Sequence, residues 1–338
     1  MSAETPLASV STGSWQEQLR DAYRDPMALL HYLDLAHLGD RLGGDESFTM
    51  LVPRAFAAKM RPGDEHDPLL RQVLPLALEE EKPSNTFTVD PLAEATANRA
   101  QGLLHKYQGR VLLIAAGACA VNCRYCFRRH YDYQHGQAGR DRWQEALDYI
   151  AADASIEEVI LSGGDPLLLA DSQLDDLMTK LEAIPHLRRL RIHSRLPLVI
   201  PDRITAGLRR RLRASRLQGV FVLHSNHARE LDEAVARALG DLADAGLRLL
   251  NQSVLLRGVN DQVEVLSDLS TRLWDMHVQP YYLHLLDPVA GAAHFDIPER
   301  EALELYHGLC ANNPGYLVPR LVREIPGEAS KTPLGLLG

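Results

Sequence analysis

The chain has 338 residues, of which 46% are hydrophobic, and a formal net charge of -9. That length can bury one large core with appendages, or two domains, without disulfide staples. The acidic balance argues against nucleic acid, because phosphate binding usually shows as a surplus of basic residues. No apolar run approaches the ~18 residues of a membrane span, and MSAETPLASVSTGSW carries no targeting pattern. We therefore expect a soluble, cytoplasmic protein that binds small molecules or another protein, with no membrane or nucleic-acid partner.

Residues 1–108 are predicted to form an N-terminal lead-in of helices and irregular segments. Ser14 and Glu17 have the spacing of a capping box, which favours a helix start. A partly helical apolar set follows at Leu29, Leu30, Leu33 and Leu35. Residues 61–90 are rich in Pro, Asp and Glu, so we expect irregular structure that wraps over a surface.

Residues 109–290 are predicted to form an α/β core in which short apolar runs alternate with amphipathic helices. Six strands are predicted, at 111–114, 159–161, 190–192, 220–223, 249–256 and 278–286. Helical spacing is clear in three sets of apolar residues: Leu174, Leu177, Met178 and Leu181 after a cap at Ser172; Leu231, Val235, Leu239 and Leu242; and Val263, Leu266, Leu269 and Leu273. This alternation predicts right-handed βαβ units and a parallel sheet with helices on its outside.

Each predicted strand ends in residues that could take part in chemistry. The segments are CAVNCRYC, SGGD, HSR, LHSNH, NQS with LLRG, and HLLD. Because the carboxyl ends of parallel strands meet at one mouth, these six loops should converge on one site. Polar residues that merely mark strand ends would explain one or two such loops, but not all six. The pattern fits an open sheet as well as an incomplete barrel.

Three of the four cysteines are clustered in the pattern C-x3-C-x2-C, at Cys119, Cys123 and Cys126, whereas Cys310 is far along the chain. One alternative is a helix face on which cysteine serves as a small core residue, but the polar neighbours suit this poorly. Another is structural zinc, which normally takes four protein ligands. Full ligation of a four-iron cluster by cysteine needs four thiolates, so three would leave one iron open to a ligand that is not protein.

The loop CAVNCRYC, with an aromatic residue just before its last cysteine, resembles the radical S-adenosylmethionine superfamily. The resemblance implies a partial (βα)6 barrel similar to a TIM barrel. It also implies a 4Fe-4S cluster on the three cysteines, whose open iron binds the amino and carboxylate groups of S-adenosylmethionine. SGGD resembles the glycine loop that contacts this cofactor, which assigns that role to Ser162, Gly163, Gly164 and Asp165. Two glycines would let the backbone approach the methionine amino group closely.

Further segments resemble the lysine 2,3-aminomutase family in order and spacing, from about residue 50 to the end. They are CRYCFRRH, SGGDPLLL, HSRLPLVIPDRIT, SNHARE, QSVLLRGVND, PYYLHLLDPVAGAAHF and YLVPRLVREIPGEASKTPLG. VPRAFAAKM, DPLLRQVLP and GLLHKYQGRVLL favour the short bacterial branch that makes β-lysine for modification of elongation factor P. The resemblance implies an isomerase that converts L-α-lysine to β-lysine. It also implies an electron donor and a functional link to elongation factor P and its lysyl ligase.

The same resemblance assigns roles to four more residues. Lys331 of the KTP motif would carry pyridoxal 5'-phosphate as a Schiff base, within a C-terminal segment at 291–338. Such a lysine must lose its proton to react, so we expect a desolvated pocket near other positive charge. Arg128 falls where the family pairs with the substrate carboxylate, and a planar guanidinium suits bidentate binding. Asp287 and Glu324 fall at the two acidic positions that hold the distal ammonium of lysine, which favours a cationic amino acid and disfavours glutamate.

The sequence leaves three alternatives open. The first is a radical enzyme for another substrate that uses the cluster but not pyridoxal phosphate, with Lys331 on the surface. The second is an aminomutase that acts on a different cationic amino acid. The third is a cluster-bearing scaffold protein without catalytic activity, for which SGGD and the converging strand ends would have little purpose.

Overall fold

The computed structural model describes residues 13–45, 47–80, 86–131 and 143–335. The lead-in contains the short helices α1 (Trp15–Arg20), α2 (Pro26–Tyr32), α3 (Arg54–Ala57), α4 (Pro68–Arg71) and α5 (Glu94–Ala97). The capping box at Ser14 is confirmed, and the four leucines of the predicted apolar set are buried. The segment at 61–90 is largely irregular, as expected, apart from α4 and a 3-10 turn at Ala77–Glu80; its residues 81–85 lie outside the described part.

The centre of the fold is a ten-stranded sheet whose strand order follows the chain. Its strands are β1 (Asn98–Ala100), β2 (Leu103–Tyr107), β3 (Arg110–Ala116), β4 (Glu158–Gly163), β5 (Arg189–Ser194), β6 (Gln218–Leu223), β7 (Arg248–Val254), β8 (Val278–His284), β9 (Arg320–Arg323) and β10 (Thr332–Pro333). Strands β3 to β9 are parallel, and β1, β2 and β10 add antiparallel edges. All six predicted strands are confirmed, and β9 is a further parallel strand.

Helices cross between the parallel strands. They are α6 (Gln144–Ala152), α7 (Asp171–Glu182), α8 (Leu196–Val199), α9 (Ala206–Arg213), α10 (Glu233–Asp244), α11 (Val263–Asp275) and α12 (Glu299–Asn312). The predicted cap at Ser172 is wrong, because Ala170 is the N-cap of α7 and its N–H donates to the Gln173 side chain at 3.1 Å. Among the described helices, none combines the length and apolar character needed to cross a membrane.

The sheet curls around a cavity on its inner face. Along β4, Ile160 and Ser162 line this cavity, whereas Leu161 between them belongs to the main apolar core. The two ends of the sheet approach each other, since Lys106 of β2 donates to Glu324, just after β9, at 3.0 Å. A curled parallel sheet with helices outside agrees with the predicted incomplete barrel.

The apolar core runs across the predicted segment boundaries. The main cluster joins residues of the lead-in to residues of the sheet, among them Leu29, Phe56, Val111 and Phe221. A second cluster packs α11 and α12 against β8 and β9, with Leu266, Leu283, Leu309 and Leu321 at its centre. The sheet itself includes β2, which precedes residue 109, and β9, which follows residue 290. The division at 108 and 290 stays a prediction.

Candidate active site

One cavity of about 540 Å³ lies on the inner face of the sheet. Its wall is built from strands β2 to β5 and β7 to β10, and from loops at the carboxyl ends of the parallel strands, including the loop after β6. It brings together all the site residues that the sequence predicted: Cys119, Cys123, Cys126, Arg128, Ser162, Gly163, Gly164, Asp165, Asp287, Glu324 and Lys331. The expected convergence of the strand ends on a single site is therefore present in the structure.

The cysteine loop follows β3 and is bound to the lead-in by ion pairs and hydrogen bonds. Arg124 of this loop is fully buried and donates to both oxygens of Glu79, from Nε at 2.8 Å and from Nη2 at 2.5 Å. Arg129 donates from Nη2 to the same carboxylate at 2.7 Å. The Phe48 carbonyl accepts a third bond from Arg124 at 2.6 Å. A buried ion triad thus fixes the loop that carries the three thiols.

The three thiols of this loop influence one another electrostatically. Burial raises the pKa of the Cys119 thiol well above its ordinary value, and Cys126 and Cys123 raise it further. Burial and Cys123 likewise raise the pKa of Cys126 to about 11. Three partly buried thiolates in one loop need compensating positive charge, which iron can supply.

The described residues contain no group of three His, Cys, Asp or Glu side chains that could hold a metal ion. In a four-iron cluster each thiolate ligates a different iron, so the ligands stand further apart than around one ion. The lack of a three-ligand group around one ion, among the described residues, is therefore compatible with a cluster on Cys119, Cys123 and Cys126, and it is unlike a preformed zinc site.

A buried arginine stands next to the cysteine loop. Arg195 donates from Nη1 to Cys123 Sγ and to the Tyr125 hydroxyl, each at 2.7 Å. Its Nη2 donates to Gln72 Oε1 at 2.7 Å and to Glu230 Oε2 at 3.0 Å. The sequence analysis did not single out this residue, although it belongs to HSR, one of the strand-end segments. It places a fixed positive charge beside Cys123, a predicted cluster ligand.

The two glycines of SGGD pack against the cysteine loop. Gly163 has a φ of +111°, and a Cβ on Gly164 would lie 2.1 Å from the Ala118 carbonyl oxygen. The Gly164 N–H donates to the Ala116 carbonyl, and the Asp165 N–H donates to that of Ala118, both at 2.8 Å. The structure thus gives the glycines a role between two protein loops, which they allow to meet, and their predicted contact with S-adenosylmethionine stays a prediction.

The Asp165 carboxylate is occupied by protein donors. It accepts bonds from the Ser194 hydroxyl at 2.8 and 2.9 Å and from the backbone N–H groups of Leu167, Arg195 and Leu196 at 2.9–3.1 Å. These bonds connect the glycine loop to the end of β5 and fix the position of Arg195. A direct contact of Asp165 with S-adenosylmethionine stays a prediction.

An ion chain of five alternating charges runs along the cavity: Arg128, Glu94, Lys106, Glu324 and Lys331. Arg128 donates to Glu94 in a bidentate pair at 2.7 and 2.8 Å. Lys106 lies between the two acids, with Nζ 3.3 Å from Glu94 and 3.0 Å from Glu324. Lys331 donates from Nζ to Glu324 Oε2 at 2.7 Å. The predicted cofactor lysine and the predicted carboxylate-binding arginine thus stand at opposite ends of one network.

The two predicted acids differ in their surroundings. Burial would raise the pKa of Glu324, but the charges of Lys331 and Lys106 outweigh it and hold that pKa at about 2. Burial, followed by the charge of Glu324, raises the pKa of Asp287 to about 7. In the part of the chain that the structure describes, no hydrogen bond or ion pair engages the Asp287 carboxylate. Asp287 is therefore suited to bind a cation that the protein itself does not provide.

Two arginines that line the cavity also lack acidic partners. The Arg110 guanidinium lies over the Tyr107 ring at 4.6 Å, and Arg320 lines the same cavity. Across the described ranges, neither forms an ion pair. Guanidinium groups of this kind suit a phosphate monoester. The sequence analysis missed both, because an arginine at the start of a strand has no signature of its own.

Three histidines line the cavity as well: His284 is buried, and His193 and His224 are half-buried. Burial and then the charge of Arg195 lower the pKa of His224 to about 3, and burial also lowers the pKa of His193 and His284. The Nε2 atoms of His193 and His284 are buried without a hydrogen-bond partner among the described residues. Buried polar atoms are rarely left unpaired, so these two are candidates to contact a bound ligand. The sequence analysis named HSR, LHSNH and HLLD but gave these histidines no role.

Comparison with known proteins places this arrangement in a family. Residues 113–269 match the Radical SAM superfamily. An "L-lysine 2,3-aminomutase" of Escherichia coli (strain K12) is 50% identical, covering 98% of this chain and 97% of its own. A protein of the same name from Haemophilus influenzae is 48% identical, and the match covers 94% of this chain and 95% of that protein. Another from Clostridium subterminale is 37% identical, and the match covers 97% of this chain and 79% of that protein. The chain belongs to the L-lysine 2,3-aminomutase family of the radical SAM superfamily.

Proposed function

We propose that this protein is an isomerase that moves the amino group of L-lysine from the α to the β carbon and releases β-lysine. Its similarity to proteins named L-lysine 2,3-aminomutase extends over nearly the whole chain. One observation carries the proposal further than the family name. The cysteine loop, Lys331 and the unpaired carboxylate of Asp287 line a single cavity, so a radical source, an amine carrier and an ammonium site can act on one substrate.

The radical SAM superfamily uses a 4Fe-4S cluster and S-adenosylmethionine. In our proposal Cys119, Cys123 and Cys126 hold the cluster, and the glycine loop at 162–165 lies beside S-adenosylmethionine. That cofactor, when reduced at the open iron, supplies a 5'-deoxyadenosyl radical that removes hydrogen from carbon. The protein's part is to orient the substrate and to keep competing C–H bonds and water away, which an enclosing sheet can do.

Pyridoxal 5'-phosphate is the second cofactor of the proposal, with Lys331 as its point of attachment. Arg110 and Arg320 would bind its phosphate, since both line the cavity that contains Lys331 and neither has an acidic partner among the described residues. The unpaired Nε2 of buried His284 offers a further hydrogen bond. Pyridoxal phosphate supplies a π system that lets nitrogen pass between neighbouring carbons.

The substrate would span the ion chain. Arg128 would bind its carboxylate, and Nη1 of Arg128 already donates to the Ser162 hydroxyl at 3.2 Å, beside the glycine loop. Asp287 and Glu324 would hold the distal ammonium. This placement brings the carbons next to the carboxylate toward the radical source and favours a cationic amino acid.

The proposal includes a role for the product. We assign β-lysine to the modification of elongation factor P, together with its lysyl ligase, and an electron donor to the reduction of the cluster. This assignment is supported by the segments VPRAFAAKM and GLLHKYQGRVLL, which resemble the corresponding bacterial branch.

The test is anaerobic incubation of reconstituted protein with L-lysine, S-adenosylmethionine, pyridoxal phosphate and a reductant, followed by chromatography for β-lysine. We expect β-lysine from the wild type and none from Cys123→Ser or Lys331→Ala. Turnover that does not need pyridoxal phosphate would favour a radical enzyme that uses the cluster alone. A preference for ornithine or arginine would favour an aminomutase for a different cationic amino acid. Failure of the reduced protein to cleave S-adenosylmethionine would favour the scaffold protein.

A further inference from the structure

Both oxygens of Glu324 are already engaged by lysines of the protein. Oε2 accepts from Lys331 at 2.7 Å and Oε1 accepts from Lys106 at 3.0 Å. The Glu324 side chain is only 14% exposed, so little water screens these charges. A third cation at this carboxylate would have to approach two ammonium groups. The acid that should receive the substrate ammonium is therefore occupied.

Attachment of a pyridoxal aldehyde changes this balance at one of the two lysines. Nζ of Lys331 must give up a proton to solvent before it attacks the aldehyde carbon. The aldehyde oxygen then leaves as water and an imine forms. The ammonium group that donated to Glu324 Oε2 no longer exists, whereas Lys106 remains on Oε1. Lys106 is also 3.3 Å from Glu94, and Glu94 is held by Arg128. Lys106 is therefore fixed, and it keeps the Glu324 carboxylate in position.

We propose that Glu324 exchanges Lys331 for the distal ammonium of the amino-acid substrate, so that the ammonium site becomes available only after the cofactor has taken up the Lys331 amine. This inference rests on the proposed function, in which Lys331 carries the cofactor and the substrate is a cationic amino acid. It fixes an order of binding in which the cofactor precedes the amino acid. It also makes Glu324 a determinant of that order as well as of specificity, while Asp287 supplies the second carboxylate.

The exchange can be tested in protein free of pyridoxal phosphate, where no catalysis takes place. Lys331→Met removes the charge but keeps the length of the side chain, whereas Lys331→Arg keeps a cation at the same position. Titration calorimetry with L-lysine should show at least tenfold tighter binding to Lys331→Met than to the wild type. Lys331→Arg should show no gain. L-norleucine, which has no distal ammonium, should show no gain with either variant.

The role of Glu324 is isolated by placing Glu324→Gln in the wild-type and Lys331→Met backgrounds. We expect the gain in L-lysine affinity to disappear in the double variant. The exchange is overturned if Lys331→Met binds L-lysine no more tightly than Lys331→Arg, or if the gain survives Glu324→Gln. Lys331→Ala serves as a second neutral variant should Lys331→Met melt at a much lower temperature than the wild type.

The proposed reaction can fail independently of this inference. Formation of β-lysine by the unmodified, fully loaded enzyme is measured separately. Product formation without a gain in Lys331→Met would overturn the exchange and leave the function intact. A gain without product would support the exchange for a cationic ligand and overturn the reaction.

Discussion

Replacement of Glu79 by alanine tests how the lead-in supports the cysteine loop. The side chains of Glu79, Arg124 and Arg129 are 1%, 0% and 0% exposed, so the variant leaves two guanidinium groups buried without their shared counter-charge. Removal of one partner from a buried ion pair costs about 3–5 kcal/mol. The remaining bonds of these arginines go to backbone carbonyls, namely those of Phe48, Arg124 and Gly291, which offer no net charge. We therefore expect a loss within that range.

Urea unfolding of the cluster-free protein measures this cost directly. Glu65→Ala is a matched control, because Glu65 pairs with Arg41 where the side chains are 40% and 58% exposed. Surface pairs of that kind contribute about 0–1 kcal/mol. The iron content after reconstitution should also fall in Glu79→Ala and stay normal in the control. A destabilisation by Glu79→Ala no larger than that of Glu65→Ala would refute the triad as the support of the loop.

Three further predictions concern the cavity. Gly164→Ala forces a Cβ to within 2.1 Å of the Ala118 carbonyl oxygen and should lower the iron content of the reconstituted protein. Gly240→Ala is the control, because its Cβ would meet no atom within 4 Å, and its iron content should stay normal. Arg195→Gln removes the positive charge next to Cys123 Sγ and should lower the cluster's midpoint potential in a redox titration followed by electron paramagnetic resonance; an unchanged potential would contradict this. Because burial, followed by a neighbouring carboxylate, raises the pKa of Asp287 to about 7, this group is protonated below that pH and ionised above it. The affinity for L-lysine should therefore rise as the pH passes upward through that value, and calorimetry of Asp287→Asn should show a much flatter profile.

Sequence patterns were sufficient for the parallel core but not for its last strand. Strand β4 is buried along almost its whole length, whereas β3, β5 and β7 alternate between buried and half-buried residues, because one face of the sheet packs on the core and the other lines the cavity. Strand β9 is the four-residue segment RLVR, with only its two central residues buried. Because an arginine stands at each end, the segment has no apolar run long enough to predict a strand from the sequence. Helix α12 was missed for a related reason: only Ala302 and Leu309 are buried along it, so its apolar period is weak.

Within the site, residues in local motifs were found and residues defined by tertiary contacts were not. The cysteines and Lys331 stand in short segments that can be recognised alone. Glu94 links Arg128 to Lys106 in the ion chain, and only folding brings these three residues together. Gly164 packs against the backbone of another loop, a contact that only the fold creates and that no local pattern predicts. Motif spacing identifies residues that can bind a metal or a cofactor, whereas the ion pairs and packing contacts that these residues form depend on the fold.

We infer that three thiolates of this chain would leave one iron of a cluster open inside the cavity that also contains Lys331. Electron paramagnetic resonance of the reduced, anaerobically reconstituted protein, recorded with and without S-adenosylmethionine, tests it most directly. We expect four irons per chain and a cluster signal that changes when S-adenosylmethionine is added. Bound zinc in place of iron, or a cluster signal that S-adenosylmethionine leaves unchanged, would contradict the account.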